Sequence, residues 1–267
     1  MKLSFTTMAT PGMSVRDEAG LAKKFGYEGI DLRVSDHLGE VKLDTSHSEL
    51  IEVKDILNSE GVSLAGLFCY NRCADADKNS WGEMKESIVR HLELASIIGS
   101  PSIRIFAGDP LKCPDQEEFI LRTAESVSGA LNVHGTDISV ILQNHLNGFS
   151  AGQGLKLAEA VADGRFGLAF SPDHCVLMQE RPEQLKDLLK KHVKQVYAAD
   201  LTVINDEYQI CLPGKGSVPL KDTFQLVGGK SFEGWITFKW EKIWHPELEA
   251  AEVALPYFIK YAAENLV

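Results

Sequence analysis

Eight short runs rich in β-forming residues recur along this chain of 267 residues, each followed by a longer stretch of helical period. That alternation limits the fold more than any single motif. The runs fall at residues 3–6, 30–34, 62–68, 102–106, 138–143, 166–171, 195–199 and 235–240. Between the first two, Ser14 caps a segment with apolar Val15, Ala19, Ala22 and Phe25, and Gly26 ends it. Residues 48–61 repeat this grammar. Ser80 with Glu83 reads as a capping box ahead of a stripe of Met84, Ile88, Leu92, Ala95 and Ile98, which stops at Gly99 with Pro101 beyond. Pro246 is expected at the first position of the last helix, and residues 222–228 give the weakest helix. Eight strand-then-helix units in about 250 residues predict an α/β fold, a single-domain (β/α)8 TIM barrel over residues 1–267. A doubly wound sheet is the alternative, but residues 7–11 lack the glycine-rich phosphate turn it would carry after its first strand.

Composition narrows the partners. With 44% hydrophobic and 24% charged residues, the chain can bury a sizeable core. A total of 27 Lys and Arg against 38 Asp and Glu leaves a formal charge of −11, which disfavours a nucleic-acid partner because that affinity rests on displacing counterions. No apolar run approaches the ~20 residues that span a bilayer, and the first ten residues lack the pattern of a secretory leader, so no membrane partner and a cytoplasmic address are expected. Five cysteines, at 69, 73, 113, 175 and 211, form no CxxC pair, so buried free thiols are expected; Cys175, next to His174, is the one candidate for reactivity.

Chemistry in such a barrel gathers where strands run into their C-terminal loops. Lys239 lies mid-run, on the same strand face as Thr237 and Glu241. If that face looks inward, the ammonium is buried and needs a carboxylate, with Asp200, Asp173 or Glu241 nearest by strand order. An ion network, an electrophile and a Schiff-base amine all remain open for it. His145 and His174 follow strand ends, where an imidazole shuttles protons or binds a sugar hydroxyl, while the other six histidines are expected on the surface. Arg33 and Arg104 either fork onto a substrate phosphate or carboxylate or brace acidic strand ends. Trp81, Trp240 and Trp244 either stack on a sugar ring or pack.

Several segments together resemble the xylose-isomerase-like TIM-barrel family of sugar isomerases and epimerases, related also to endonuclease-IV-type enzymes. They are Gly29-Ile-Asp-Leu-Arg-Val, Ile103-Arg-Ile-Phe, Gln143-Asn-His, Leu212-Pro-Gly-Lys-Gly-Ser-Val-Pro-Leu and Gly234-Trp-Ile-Thr-Phe-Lys-Trp-Glu-Lys-Ile-Trp-His-Pro-Glu. The resemblance implies one divalent cation held by Glu, Asp, His and Glu at the ends of strands five to eight. The matching positions here are Gln143, Ser171, Tyr197 and Lys239, all changed, while His145, His174, Asp200, Glu241 and Arg104 are retained. A neutral amide, a hydroxyl, a phenol and an ammonium are a poor set for a hard dication. Two unit charges ~4 Å apart at an effective dielectric near 20 interact by roughly 4 kcal/mol, and a dication would meet about twice that repulsion from the ammonium. No metal is therefore expected at this position, and no other cofactor.

Both glutamates that move a carbon-bound proton in the family are absent, which leaves three readings. One is a metal-free carbohydrate isomerase- or epimerase-like enzyme, with Lys239, His174, Glu241 and Tyr197 as catalytic groups and Arg33, Arg104, Gln143, His145, Asp200 and Trp244 binding substrate. Another is a catalytically silent sugar-binding barrel. The last is a Lys239 Schiff-base lyase or aldolase. The implied partner is a small carbohydrate; a homo-oligomer stays open.

Overall fold

In a computed structural model, which describes residues 1–37, 39–72, 80–106, 108, 113, 115–205 and 207–266 (backbone alone at Ser80 and Trp81), the alternation closes on itself. The elements run β1 (Lys2–Thr6), α1 (Val15–Phe25), β2 (Gly29–Val34), α2 (His47–Glu60), β3 (Ser63–Arg72), α3 (Ser80–Ile98), β4 (Ser102–Phe106) and α4 (Gln116–His134). Then come β5 (Ser139–Gln143), α5 (Ala151–Val161), β6 (Phe166–Phe170), α6 (Pro172–Leu177), α7 (Lys186–His192) and β7 (Val193–Ala198). The chain ends with β8 (Asp200–Ile204), β9 (Glu207–Cys211), α8 (Leu220–Leu226), β10 (Trp235–Phe238) and α9 (Ala251–Asn265). Strands β1 to β7 and β10 form a closed barrel of parallel neighbours, and β8 pairs antiparallel with β9 outside it. This is the expected (β/α)8 barrel, with an added hairpin that the runs did not announce.

Local chemistry sets most element ends. The Ser14 hydroxyl accepts from the Asp17 amide and Gly26 closes α1 at φ 84°, a left-handed turn that suits glycine. A reciprocal capping box of Ser46 and Glu49 opens α2, one residue ahead of the expected start. The Ser80 cap, Cys73 and the Trp81 side chain lie outside what the structure describes. Pro246 does not open the last helix. Residues 241–248 fold into turns, held by the Trp240 indole N–H on the Glu249 carbonyl and the Ile243 amide on the Met8 carbonyl, and α9 starts only after Ala250.

Outward strand positions such as Ile30, Leu32, Ile103, Ile105, Val140, Leu142 and Leu168 are fully buried beneath Ala19, Ala22, Ile88, Leu92, Val127, Leu131 and Leu155 of the helices. Inward positions are largely polar. Ser4, Asp31, Arg104, Gln143, Gln195, Tyr197, Thr237 and Lys239 are all buried in the barrel, around an apolar cluster of Met8, Phe68, Ile141, Ala169 and Tyr197. Their hydrogen bonds cross the barrel: the Gln195 amide donates to Thr237 Oγ1 at 2.7 Å and to Asp31 Oδ2 at 3.0 Å, and the Tyr197 hydroxyl donates to Asp31 Oδ2 at 2.7 Å.

Two surface expectations change. His91 is buried in α3, where its Nδ1 bonds the Ser87 carbonyl one turn back. Of the free cysteines described, Cys69 and Cys175 are buried and Cys113 and Cys211 are partly exposed. Burial pushes the Cys175 thiol far above its ordinary range, which opposes the thiolate form that a reactive cysteine needs. Among the described residues no helix is long and apolar enough to cross a membrane.

Candidate active site

At the C-terminal mouth of the barrel a cavity of about 320 Å3 is bounded by the ends of β3, β4, β5 and β7, by α6, by the β8–β9 hairpin and by residues 239–245. A hollow of about 530 Å3 opens at the other end, among strand beginnings such as Ser102, Ser139, Gln195 and Trp235. Barrels of this kind do their chemistry at the C-terminal face, where the loops converge, and the titratable cluster of this chain lies there.

Lys239 stands one residue past β10 and is 2% exposed. Its ammonium donates to Asp173 Oδ2 at 2.7 Å, approaches Glu241 Oε1 at 3.2 Å and lies 3.2 Å from His174 Nε2. Asp173 and His174 sit in the first turn of α6, immediately after β6, so two strand ends supply the cluster. Burial alone would pull the amine down, but the facing carboxylates prevail and hold Lys239 above its ordinary range. Burial raises Glu241 in turn, and the neighbouring ammonium overrules it to keep that carboxylate below its usual range. The cluster thus contains a fixed cation with an ionised carboxylate beside it.

Two imidazoles form the adjoining wall, with ring centroids 4.0 Å apart. His145 Nδ1 lies 2.6 Å from the Leu146 carbonyl and donates to it, leaving Nε2 as the basic nitrogen. Burial and then the Lys239 charge lower its pKa to about 4, so the ring is neutral at physiological pH. His174 is held well below its ordinary range by the same causes. Its Nδ1 faces the Leu146 amide at 3.3 Å and its Nε2 the Lys239 ammonium, surroundings that oppose a second ring proton.

Of the residues singled out from sequence, Lys239, His174, Glu241, Gln143, His145, Asp200 and Trp244 line this cavity; Tyr197, Arg33 and Arg104 do not. Tyr197 lies beneath the floor on Asp31, and Arg33 is salt-bridged to Glu40 at 2.6 Å. Asp200 reaches the rim, but its carboxylate accepts the amides of Leu201, Gly214, Gly216 and Val218 at 2.8–3.0 Å and so ties the hairpin to the following loop. Gln143 Nε2 donates to Ser171 Oγ at 2.8 Å, and its Oε1 is buried without a partner. Sequence reasoning missed the aromatic wall of Phe68, Tyr70 and Phe106 and the Tyr208 and Ile210 contribution from β9. Alternation along β3 and β4 pointed to the first three; nothing in the runs marked the hairpin.

Comparison with known proteins places this geometry. A family model described as xylose isomerase-like TIM barrel matches residues 19–261. The chain belongs to that family. No curated protein sequence matches it. Among solved structures it is similar to the IOLI protein with a binding zinc atom, at 16% identity and TM-score 0.82 over 100% of this chain and 98% of that one. It is also similar to D-psicose 3-epimerase with D-tagatose from Clostridium cellulolyticum H10 (12% identity, TM-score 0.78, 100% and 99% covered). A third likeness is to the probable 3-DHS dehydratase AsbF from Bacillus anthracis (14% identity, TM-score 0.76, 98% and 99% covered). Identities this low carry the fold alone.

The strand-end positions that the family resemblance assigns to a dication do not fit one in this chain. Gln143 and Ser171 bond each other, Tyr197 is committed to Asp31, and Lys239 puts a cation at the remaining position. Among the described residues no group of three His, Cys, Asp or Glu is arranged to hold a metal ion.

Proposed function

We propose that this barrel acts on a carbohydrate, a sugar, keto-sugar or polyol, without a divalent metal, with the Lys239 ammonium as the fixed positive charge of the site. The observation that carries the reading is the buried ammonium ringed by Asp173, Glu241 and His174 at a strand end that the family uses for metal binding. In this scheme Glu241, ionised and reaching the cavity, takes a proton from the carbon next to a substrate carbonyl. The carbonyl oxygen becomes an enolate oxygen beside the Lys239 charge, and return of the proton from the Glu241 carboxylic acid to carbon regenerates the carbonyl and the carboxylate. Gln143 Oε1 and Trp244 are suited to a hydroxyl and a sugar face. A Schiff base at Lys239 is disfavoured, because the nucleophile is the neutral amine and the two carboxylates keep it charged.

One observation favours a second reading, a silent sugar-binding barrel. The ammonium is already held by two carboxylates and faces His174 Nε2 at 3.2 Å, so polarising a carbonyl requires one of the carboxylates, Glu241 at 3.2 Å being the more exposed, to yield its place. A thermal-shift screen of sugars, keto-sugars and inositols finds the ligand by mass action under either reading. Deuterium wash-in at carbon with the best ligand then separates them: exchange lost in Glu241→Gln supports the enzyme, and binding without exchange supports the silent barrel. A screen in which no carbohydrate shifts the melting temperature sinks both.

A further inference from the structure

The cations around this site are matched unequally. Lys239 has two carboxylates and Arg33 has Glu40 at 2.6 Å. Arg104 is fully buried, yet none of its three guanidinium nitrogens has a hydrogen-bond partner. Asp31 is the nearby anion, and its carboxylate accepts from Tyr197 and Gln195 instead. Five buried N–H donors on a group that stays charged are costly to leave unmade, a cost that the Asp31 charge and the neighbouring ring faces offset only in part.

Position says what they serve. The guanidinium carbon lies 3.5 Å from the Phe68 ring centroid, 3.8 Å from that of Phe106 and 5.3 Å from that of Tyr70, and all three rings line the cavity. With the faces of the plane held by aromatic rings, hydrogen bonding is left to its edges, which suits an oxyanion accepting two parallel N–H bonds. The Tyr70 hydroxyl on the same wall is also buried without a partner. We infer that Arg104 and Tyr70 form an oxyanion subsite behind the Tyr70 and Phe106 rings, and that the ligand of this barrel carries a carboxylate or phosphate on its carbohydrate skeleton. This rests on the carbohydrate reading above and adds the substrate class. Arg104 does not itself line the cavity of about 320 Å3, which suits a single acidic sugar, so the oxyanion reaches it when the Tyr70 or Phe106 ring on the cavity wall turns aside. Gln143 Oε1, an unused acceptor on the neighbouring strand β5 beside Phe106, takes a hydroxyl and not a second anion.

The test measures affinities of the native chain, Arg104→Met and Arg104→Lys for D-glucose, D-glucuronate, D-glucose 6-phosphate and succinate by titration calorimetry. The expected result is that the native chain prefers an anionic sugar over D-glucose at least tenfold, that Arg104→Met reduces the ratio to near one, and that Arg104→Lys lies between. Whichever of glucuronate and the phosphate gains identifies the oxyanion. Equal native affinity for the three sugars overturns the subsite and leaves the carbohydrate reading standing. Arg104-dependent binding of succinate without binding of any sugar keeps the subsite and overturns the carbohydrate reading. No Arg104-dependent binding of any probe overturns the inference. Should Arg104→Met fail to fold, Arg104→Lys keeps a cation among the rings but not the fork, and an undiminished preference in that variant overturns it as well.

Discussion

At the scale of single residues, the barrel interior is governed by charges that only work as sets. Lys239 is the partner that lets Asp173 and Glu241 stay close together inside the mouth. Lys239→Met leaves them facing each other with no cation, and the expected loss is about 3–5 kcal/mol in chemical denaturation. Adding Asp173→Asn should return part of it. Asp31 is the opposite case, a carboxylate whose pKa burial raises to about 6, with the Tyr197 and Gln195 hydrogen bonds and the Arg104 charge pulling it back. The native chain therefore holds this proton more tightly than the unfolded chain, so its contribution is present below about pH 4 and lost as pH rises through about 6. That span amounts to about 3 kcal/mol. His145, lowered to about 4, runs the other way, its contribution growing as pH rises from about 4 to about 6.5. The difference in unfolding free energy between the native chain and Asp31→Asn isolates the first effect. It should shift against the native chain between pH 4 and 6 and stay flat above; a flat difference throughout would show that Asp31 ionises normally.

At the scale of elements, the β8–β9 hairpin is a two-stranded sheet of its own beside the barrel. Asp200 holds it by accepting four backbone amides, and a Cβ on Gly216 would fall 2.3 Å from Asp200 Oδ1. Asp200→Asn turns an acceptor into a donor against those amides, each unpaired one costing about 1–3 kcal/mol. Hydrogen exchange should quicken across residues 200–218 while the barrel strands stay protected, and Gly216→Ala should give the same pattern. The hairpin also shows why part of the site was illegible. Its turn has Asn205 at φ 52° and no glycine, and β8 follows β7 with only Ala199 between, so no turn signal separated them. The eight barrel strands were legible because the helical stretches between them tend to open with a cap and close with glycine or proline, and period two placed Thr237 and Lys239 on the inner face. The link from Asp31 to Gln195 and Tyr197 spans more than 160 residues, and no local pattern encodes it. Pro246 misled for a related reason: the helix-opening signal was real in composition, but the contacts of Trp240 and Ile243 hold that stretch as turns.

At the scale of the whole molecule, closure of the barrel gathers four changed positions at one end, with Gln143 from β5, Ser171 after β6 and Lys239 after β10 at the mouth and Tyr197 from β7 beneath its floor. Changing them together, Gln143→Glu, Ser171→Asp, Tyr197→His and Lys239→Glu, should create manganese or zinc affinity measurable by calorimetry, and a chelator should lower the melting temperature of that variant. The same chelator should leave the native chain's melting temperature and ligand affinity unchanged; a drop in either would count against the proposed role of Lys239. An amine carried on the polypeptide differs from a bound ion in one lasting respect. It is installed at translation, never equilibrates with the surrounding medium and cannot be stripped or exchanged for a competitor, so every folded copy would emerge fully charged at its centre even in a cell starved of transition elements.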